Sequence, residues 1–155
     1  MPTIQQLAAK VNGQCVEALI RNVRAMPADK ADWQPLDAGR SALDQLKECA
    51  VICGLATSVL NERAFPADFG EQYGRAMAGL DTADRAIAAL QANSAALDQA
   101  ILAVPDADLD ITVTIPWSDK PSSVAEMMFM NYWNVTYHIG QISYIQTLYG
   151  DKEMH

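Results

Sequence analysis

The sequence predicts an all-α fold, a four-helix bundle with long crossover loops and at most one short extended segment. Four stretches carry apolar residues at helical spacing between capping residues and Pro or Gly stops, and only residues 110–117 alternate as a strand does. With 155 residues the chain is long enough to bury a core without a disulfide or metal staple, and residues 1–155 read as one domain. Half the residues are hydrophobic and 19% are charged, the balance of a soluble globular protein.

In the first helix, expected over Ile4–Met26, Thr3 and Gln6 form a capping-box pattern and Leu7, Val11, Leu19 and Val23 keep the period until Pro27. Ser41 and Asp44 offer caps for a second, over Ala42–Asn61, with Leu43, Leu46, Ala50, Cys53, Thr57 and Leu60 on one seam. Residues 62–80 hold Pro66, Gly70, Gly74 and Gly79 and are expected to be a loop with at most one irregular helical turn. A third helix opens at Asp81 or Thr82 and runs through Val104 to its stop at Pro105. Ile111, Val113 and Ile115 then alternate with Thr112 and Thr114, the extended excursion. Ser123 with Glu126 is a second capping box, and the helix it opens is expected to run unbroken to Gly150.

That last helix is unusual because no Asp, Glu, Lys or Arg occurs from Met127 to Gly150. A surface helix shows a charged face, so this one is expected to be covered nearly all round, with a homodimer partner as the simplest cover. One helical line runs Met127, Asn131, Asn134, His138, Gln141, Ile145 and Leu148, and beside it Met128, Tyr132, Val135, Ile139, Ile142 and Tyr149 make an apolar seam. On the second helix the line Asp44, Glu48, Val51, Leu55 and Ser58 turns from acidic to apolar after Glu48. If the two stripes face one another, Glu48, Asn134 and His138 meet inside the bundle, as ligand sets on facing helices do.

The segment YWNVTYHIGQISYIQTLYGD, residues 132–151, resembles the last helix of the DinB/YfiT-like superfamily, whose pattern is HxxxHxGQI, an apolar turn and Gly. MPADKADWQPLDAGRSALDQLKECA, residues 26–50, looks like that family's first crossover and second helix, where His usually stands seven residues after the helix-start Ser. PWSDKPSSVAEMM, residues 116–128, is similar to its loop into the last helix, so the resemblance spans nearly the whole chain. It implies a left-over-right crossed four-helix bundle, commonly dimeric, with a divalent metal held by three histidines in many members. Some relatives are thiol-dependent transferases or isomerases that use a low-molecular-weight thiol. His138 matches the second His of the pair, while Asn134 stands at the first and Glu48 at the second-helix position.

Three imidazoles suit Zn, Ni or Cu, whereas a carboxylate, an amide oxygen and one imidazole form a harder, weaker set for Mn, Fe(II) or Mg, or for no metal. Three outcomes stay open for Glu48, Asn134 and His138: a divalent metal site (Zn, Ni, Mn or Fe), a metal-free hydrogen-bonded network, or no meeting at all. A Glu–His pair can also do acid–base work without metal, and His138 can equally be a satisfied core histidine. Trp117, Tyr137, Gln141 and Tyr144 are candidates to line a small-molecule pocket. Cys15, Cys49 and Cys53 read as reduced, buried hydrophobes, and Asp106, Asp108 and Asp110 as a solvated loop lacking the Gly and Glu of a calcium site.

With 11 basic and 19 acidic residues the net charge is −8 and no Lys/Arg cluster offsets it, so neither nucleic acid nor a membrane is expected as a partner. The N-terminus carries no signal-peptide pattern, and the apolar windows Ala50–Leu60 and Val124–Met130 fall short of the roughly 20 residues of a membrane span, so a cytoplasmic location is expected. Two functions are compatible with these features. One is a metal-assisted or thiol-dependent transferase or hydrolase acting on a small molecule near His138; the other is a non-catalytic small-ligand-binding or stress-related dimeric scaffold that has lost the metal.

Overall fold

The computed structural model describes residues 1–155, Asp37 through its backbone alone. Helix α1 spans Ile4–Ala25, and its capping box is formed: Thr3 Oγ1 accepts from the Gln6 N–H at 3.2 Å while Gln6 Oε1 accepts from the Thr3 N–H at 3.0 Å. Helix α2, Ala42–Glu62, starts on Ser41, whose hydroxyl accepts from the Asp44 N–H. It ends where Arg63 turns left-handed (φ 56°) and returns its N–H to Val59. Helix α3 is Phe69–Gly79 and α4 is Ala83–Leu102, the latter capped by Thr82. Thr112–Val113 (β1) pairs antiparallel with Ser122–Ser123 (β2), the one short extended segment expected. Ser123 and Glu126 close the second capping box ahead of α5, Val124–Met127, and α6 is Met130–Leu148.

The four long helices form the bundle. Both α1 and α2 pack against α4 and α6, so around the bundle the order is α1, α4, α2, α6 and the consecutive pair α1 and α2 is diagonal. The long connection from Met26 to Ser41 lets the chain cross the bundle's end. Leu19, Leu46, Leu60, Leu90, Leu97, Ile101 and Ile142 fill the centre. No helix among the described residues is long and apolar enough to cross a membrane.

Three local expectations are corrected. Residues 62–80 are not a loop, because α3 occupies eleven of them. Its glycines cost helix propensity without demanding a special backbone: a Cβ at Gly70, Gly74 or Gly79 would meet nothing within 4 Å. The Gln72 amide donates to Asp68 and Arg75 reaches Glu71, local ties that favour the helix. The last helix is broken at Met128–Phe129, where the Phe129 N–H bonds three residues back to Glu126. The buried face carries on across the break at 4-3 spacing, through Val124, Met128, Asn131, Val135, His138, Ile142 and Ile145. That face mixes the two expected lines, with Asn131, Val135, His138, Ile142, Ile145 and Gln146 buried and Tyr132 and Leu148 exposed.

A polar cluster lies within this core. Asn12 of α1 donates to Ser94 Oγ at 3.2 Å and Asp98 Oδ1 at 2.7 Å on α4, and accepts at 2.7 Å from the Asn131 amide of α6. The acidic loop keeps Asp106 and Asp110 exposed, as expected, and is tied to the helices at two points: Asp106 accepts from Gln5 and Asp108 pairs with Arg63 at 2.7 Å.

Candidate functional site

The start of α2 and the middle of α6 converge on His138, which is 1% exposed. Its Nε2 lies 3.0 Å from Glu48 Oε1, and its Nδ1 lies 2.9 Å from Gln45 Oε1 and 3.2 Å from Gln141 Oε1. Gln45 and Glu48 are one helical turn apart on α2, so they reach the two sides of the ring together. Asn134 donates from Nδ2 to Glu48 Oε1 at 3.1 Å. On the outer side Arg40, just before the Ser41 cap, places Nη1 2.7 Å from Glu48 Oε2 and Nε 2.6 Å from Asp44 Oδ2.

Acceptors therefore face both nitrogens of His138, a set complete for the doubly protonated ring; for the neutral ring one glutamine amide turns to present its NH2. The hydrogen bond from His138, with that from Arg40, holds the Glu48 carboxyl at about 2, against burial that alone would raise it. The result is a bonded chain, Arg40–Glu48–His138, crossing from half-exposed loop to buried core.

Glu48, Asn134 and His138 thus meet, and Gln141 joins them. Tyr137 also touches the site, edge-on to the His138 ring at 5.2 Å between centroids, and stacks outward on Trp133. The other two pocket candidates are not gathered there. Trp117 packs on Phe65 and Phe69 and lines a cavity whose walls include none of Tyr137, Gln141 and Tyr144, and Tyr144 is 65% exposed. Arg40 and Gln45 were not singled out from the sequence; the four-residue steps from Arg40 to Asp44 to Glu48 were the available signal.

The donors do not make the three-imidazole set that the resemblance implies. Arg40 already sets a cation against one Glu48 oxygen, His138 and the Asn134 amide take the other, and Asn134 turns its NH2 rather than its oxygen toward the carboxylate. Among the described residues no three of His, Cys, Asp or Glu gather as a metal set. Asn134 Oδ1 is left buried and without a partner. The three cysteines are free and buried, and desolvation pushes the Cys15 and Cys53 thiols up to about 12, far from nucleophilic use.

The model of the DinB superfamily matches residues 14–142. Among solved structures the chain is similar to YfiT from Bacillus subtilis, described as a probable metal-dependent hydrolase with an unusual four-helix bundle topology. The two share 15% identity with a TM-score of 0.75, over 94% of this chain and 87% of that one. No curated protein matches the sequence.

Proposed function

This chain belongs to the DinB superfamily, and from that membership we propose that it is a small-molecule-binding bundle whose metal-type position has become a metal-free ion-pair network. The observation that carries this reading is the Arg40 guanidinium seated 2.7 Å from Glu48. A guanidinium there supplies the positive charge that a divalent ion brings in a metal site, and it repels one. Glu48 then orients His138 and ties α2 to α6. His138, at 1% exposure, has no open approach for a substrate.

A second reading, a metal-assisted hydrolase or transferase of the kind described for YfiT, is favoured by Asn134 Oδ1, an oxygen donor buried beside Glu48 and His138 with no partner. Elemental analysis of untagged protein, incubated with Mn, Fe(II), Ni or Zn and dialysed, separates the two. The metal-free reading expects no retained ion. About one equivalent, lost in both Glu48→Ala and His138→Ala, overturns it and calls for an activity screen with and without low-molecular-weight thiols.

The same bundle carries a surface suited to a second copy of the chain. Trp133, Tyr137 and Tyr144 stand exposed on α6, a helix without charge in a chain of net charge −8, and pairing these neutral faces keeps the acidic surfaces apart. Sedimentation at micromolar concentration is expected to give a dimer, and Trp133→Glu a monomer.

A further inference from the structure

A cavity of about 380 Å³ lies between α2, α3 and α4. Helix α3 leans on α2 without burying any side chain, yet Phe69, Tyr73 and Ala76 fall on one of its faces at 4-3 spacing and, with Leu80 just past its end, all line this space. Phe69 also packs on Phe65 and Trp117, and the rest of this face meets the cavity. Small residues opposite, Gly54 on α2 and Ala89 on α4, leave the space open where larger side chains would close it.

Few polar atoms reach into it, and none of its walls is charged. Asn93 spends its amide NH2 on the Ala50 carbonyl at 2.9 Å, which leaves Oδ1 as a spare acceptor. The Tyr73 hydroxyl makes no hydrogen bond among the described residues. It lies in the field of Glu48, whose charge adds to burial in raising its ionisation above the usual range. With no charged wall, a buried anion and a buried cation alike find no counter-charge to pair with. A neutral hydroxyl satisfies both spare groups, donating to Asn93 Oδ1 and accepting from Tyr73.

We propose that the cavity between α2, α3 and α4 binds an uncharged, mainly apolar molecule bearing one hydroxyl, of the alkylphenol class, with its hydroxyl between Tyr73 and Asn93. This rests on the ligand-binding reading above and gives it a place and a ligand class. Helix α3, carrying three glycines and no buried residue, is the wall that tightens over the ligand.

Titration calorimetry with 4-propylphenol and with 4-propylbenzoate, its charged analogue, tests this on the whole chain. The phenol is expected to bind, and the benzoate roughly tenfold or more weaker. Ala76→Trp, at an exposed position on α3 that does not endanger folding, and Ala89→Leu, from the opposite wall, each fill the cavity and weaken the phenol by about tenfold. Tyr73→Phe weakens it several-fold without changing the thermal midpoint. No phenol binding, benzoate binding as tightly as phenol, or affinity unchanged in both filling variants overturns the proposal. Metal retention is read on other residues, so a retained ion together with the expected phenol pattern would refute the metal-free network and leave the cavity assignment standing.

Discussion

Helix α6 contributes one buried residue to each of two polar clusters, two turns apart, and the clusters are built on opposite principles. At Asn131 the partners are amides and a hydroxyl from α1 and α4, and the one carboxyl, Asp98, is raised above its usual range by burial, against the hydrogen bond from Asn12. At His138 two amides, Gln45 and Gln141, meet one ring nitrogen and a carboxylate the other; Glu48 is held down by His138 and Arg40, and the chain of contacts runs out to a half-exposed guanidinium. Burial sets the first pair of energetics and charge partnership the second. A carboxyl resists ionisation where burial outweighs a single neutral hydrogen bond, and holds its charge where an imidazole hydrogen bond and a guanidinium both meet it.

The largest expected effect of a single substitution is at the neutral cluster. Asn12→Ala removes a hydrogen bond to each of Ser94, Asp98 and Asn131 at a fully buried position, and urea unfolding should show a loss of roughly 3 kcal/mol. Glu48→Gln keeps the shape of the ionic cluster but not its charge, and the same measurement should show a loss of about 1–2 kcal/mol. A loss at Glu48 larger than at Asn12 would reverse the ranking of the two clusters.

Acid titration sharpens the contrast. The carboxyl of Glu48 is lowered in the folded state from 4.5 to about 2, so its contribution is complete above pH 4.5 and is lost as pH falls through about 2. Asp98 is raised, so its contribution is complete below its unfolded value and lost as pH rises through the folded one. The acid-side decline of stability with pH should therefore be shallower in Glu48→Gln, with the remainder due to other lowered carboxyls such as Glu126 and Asp151, whereas Asp98→Asn should relieve a decline on the side of rising pH. The smallest expected effect is a coupling. If the clusters act independently, Asn12→Ala and Glu48→Gln add to within about 0.5 kcal/mol.

Local chemistry explains which features were legible in the sequence. Both capping boxes formed as expected, because each involves residues three apart and the backbone between them. Glu48 and His138 were legible through helical spacing and the family pattern, and Gln141 through its GQ. Helix α3 was hidden because glycines read as breaks, although at Gly70 and Gly74 nothing more than propensity is at stake. The buried face of α6 was hidden because Asn131, Val135, His138, Ile142 and Ile145 mix polar with apolar residues, so hydrophobicity alone does not mark it. Asn12, Ser94, Asp98 and Asn131 lie on three helices, and such a meeting depends on helix packing alone. Arg40 was missed for a related reason, since the path of the connection before Ser41 decides where its guanidinium rests.

Two side chains, Glu48 and Asn134, together with Arg40 on Glu48, are what we propose to separate this chain from a three-histidine metal site on the same backbone. Zinc titration of Glu48→His/Asn134→His beside the unaltered protein tests it most directly. The double variant is expected to gain about one tightly held equivalent while the unaltered protein retains none. Stoichiometric zinc in the unaltered protein, or none in the double variant with its helices intact, would contradict it.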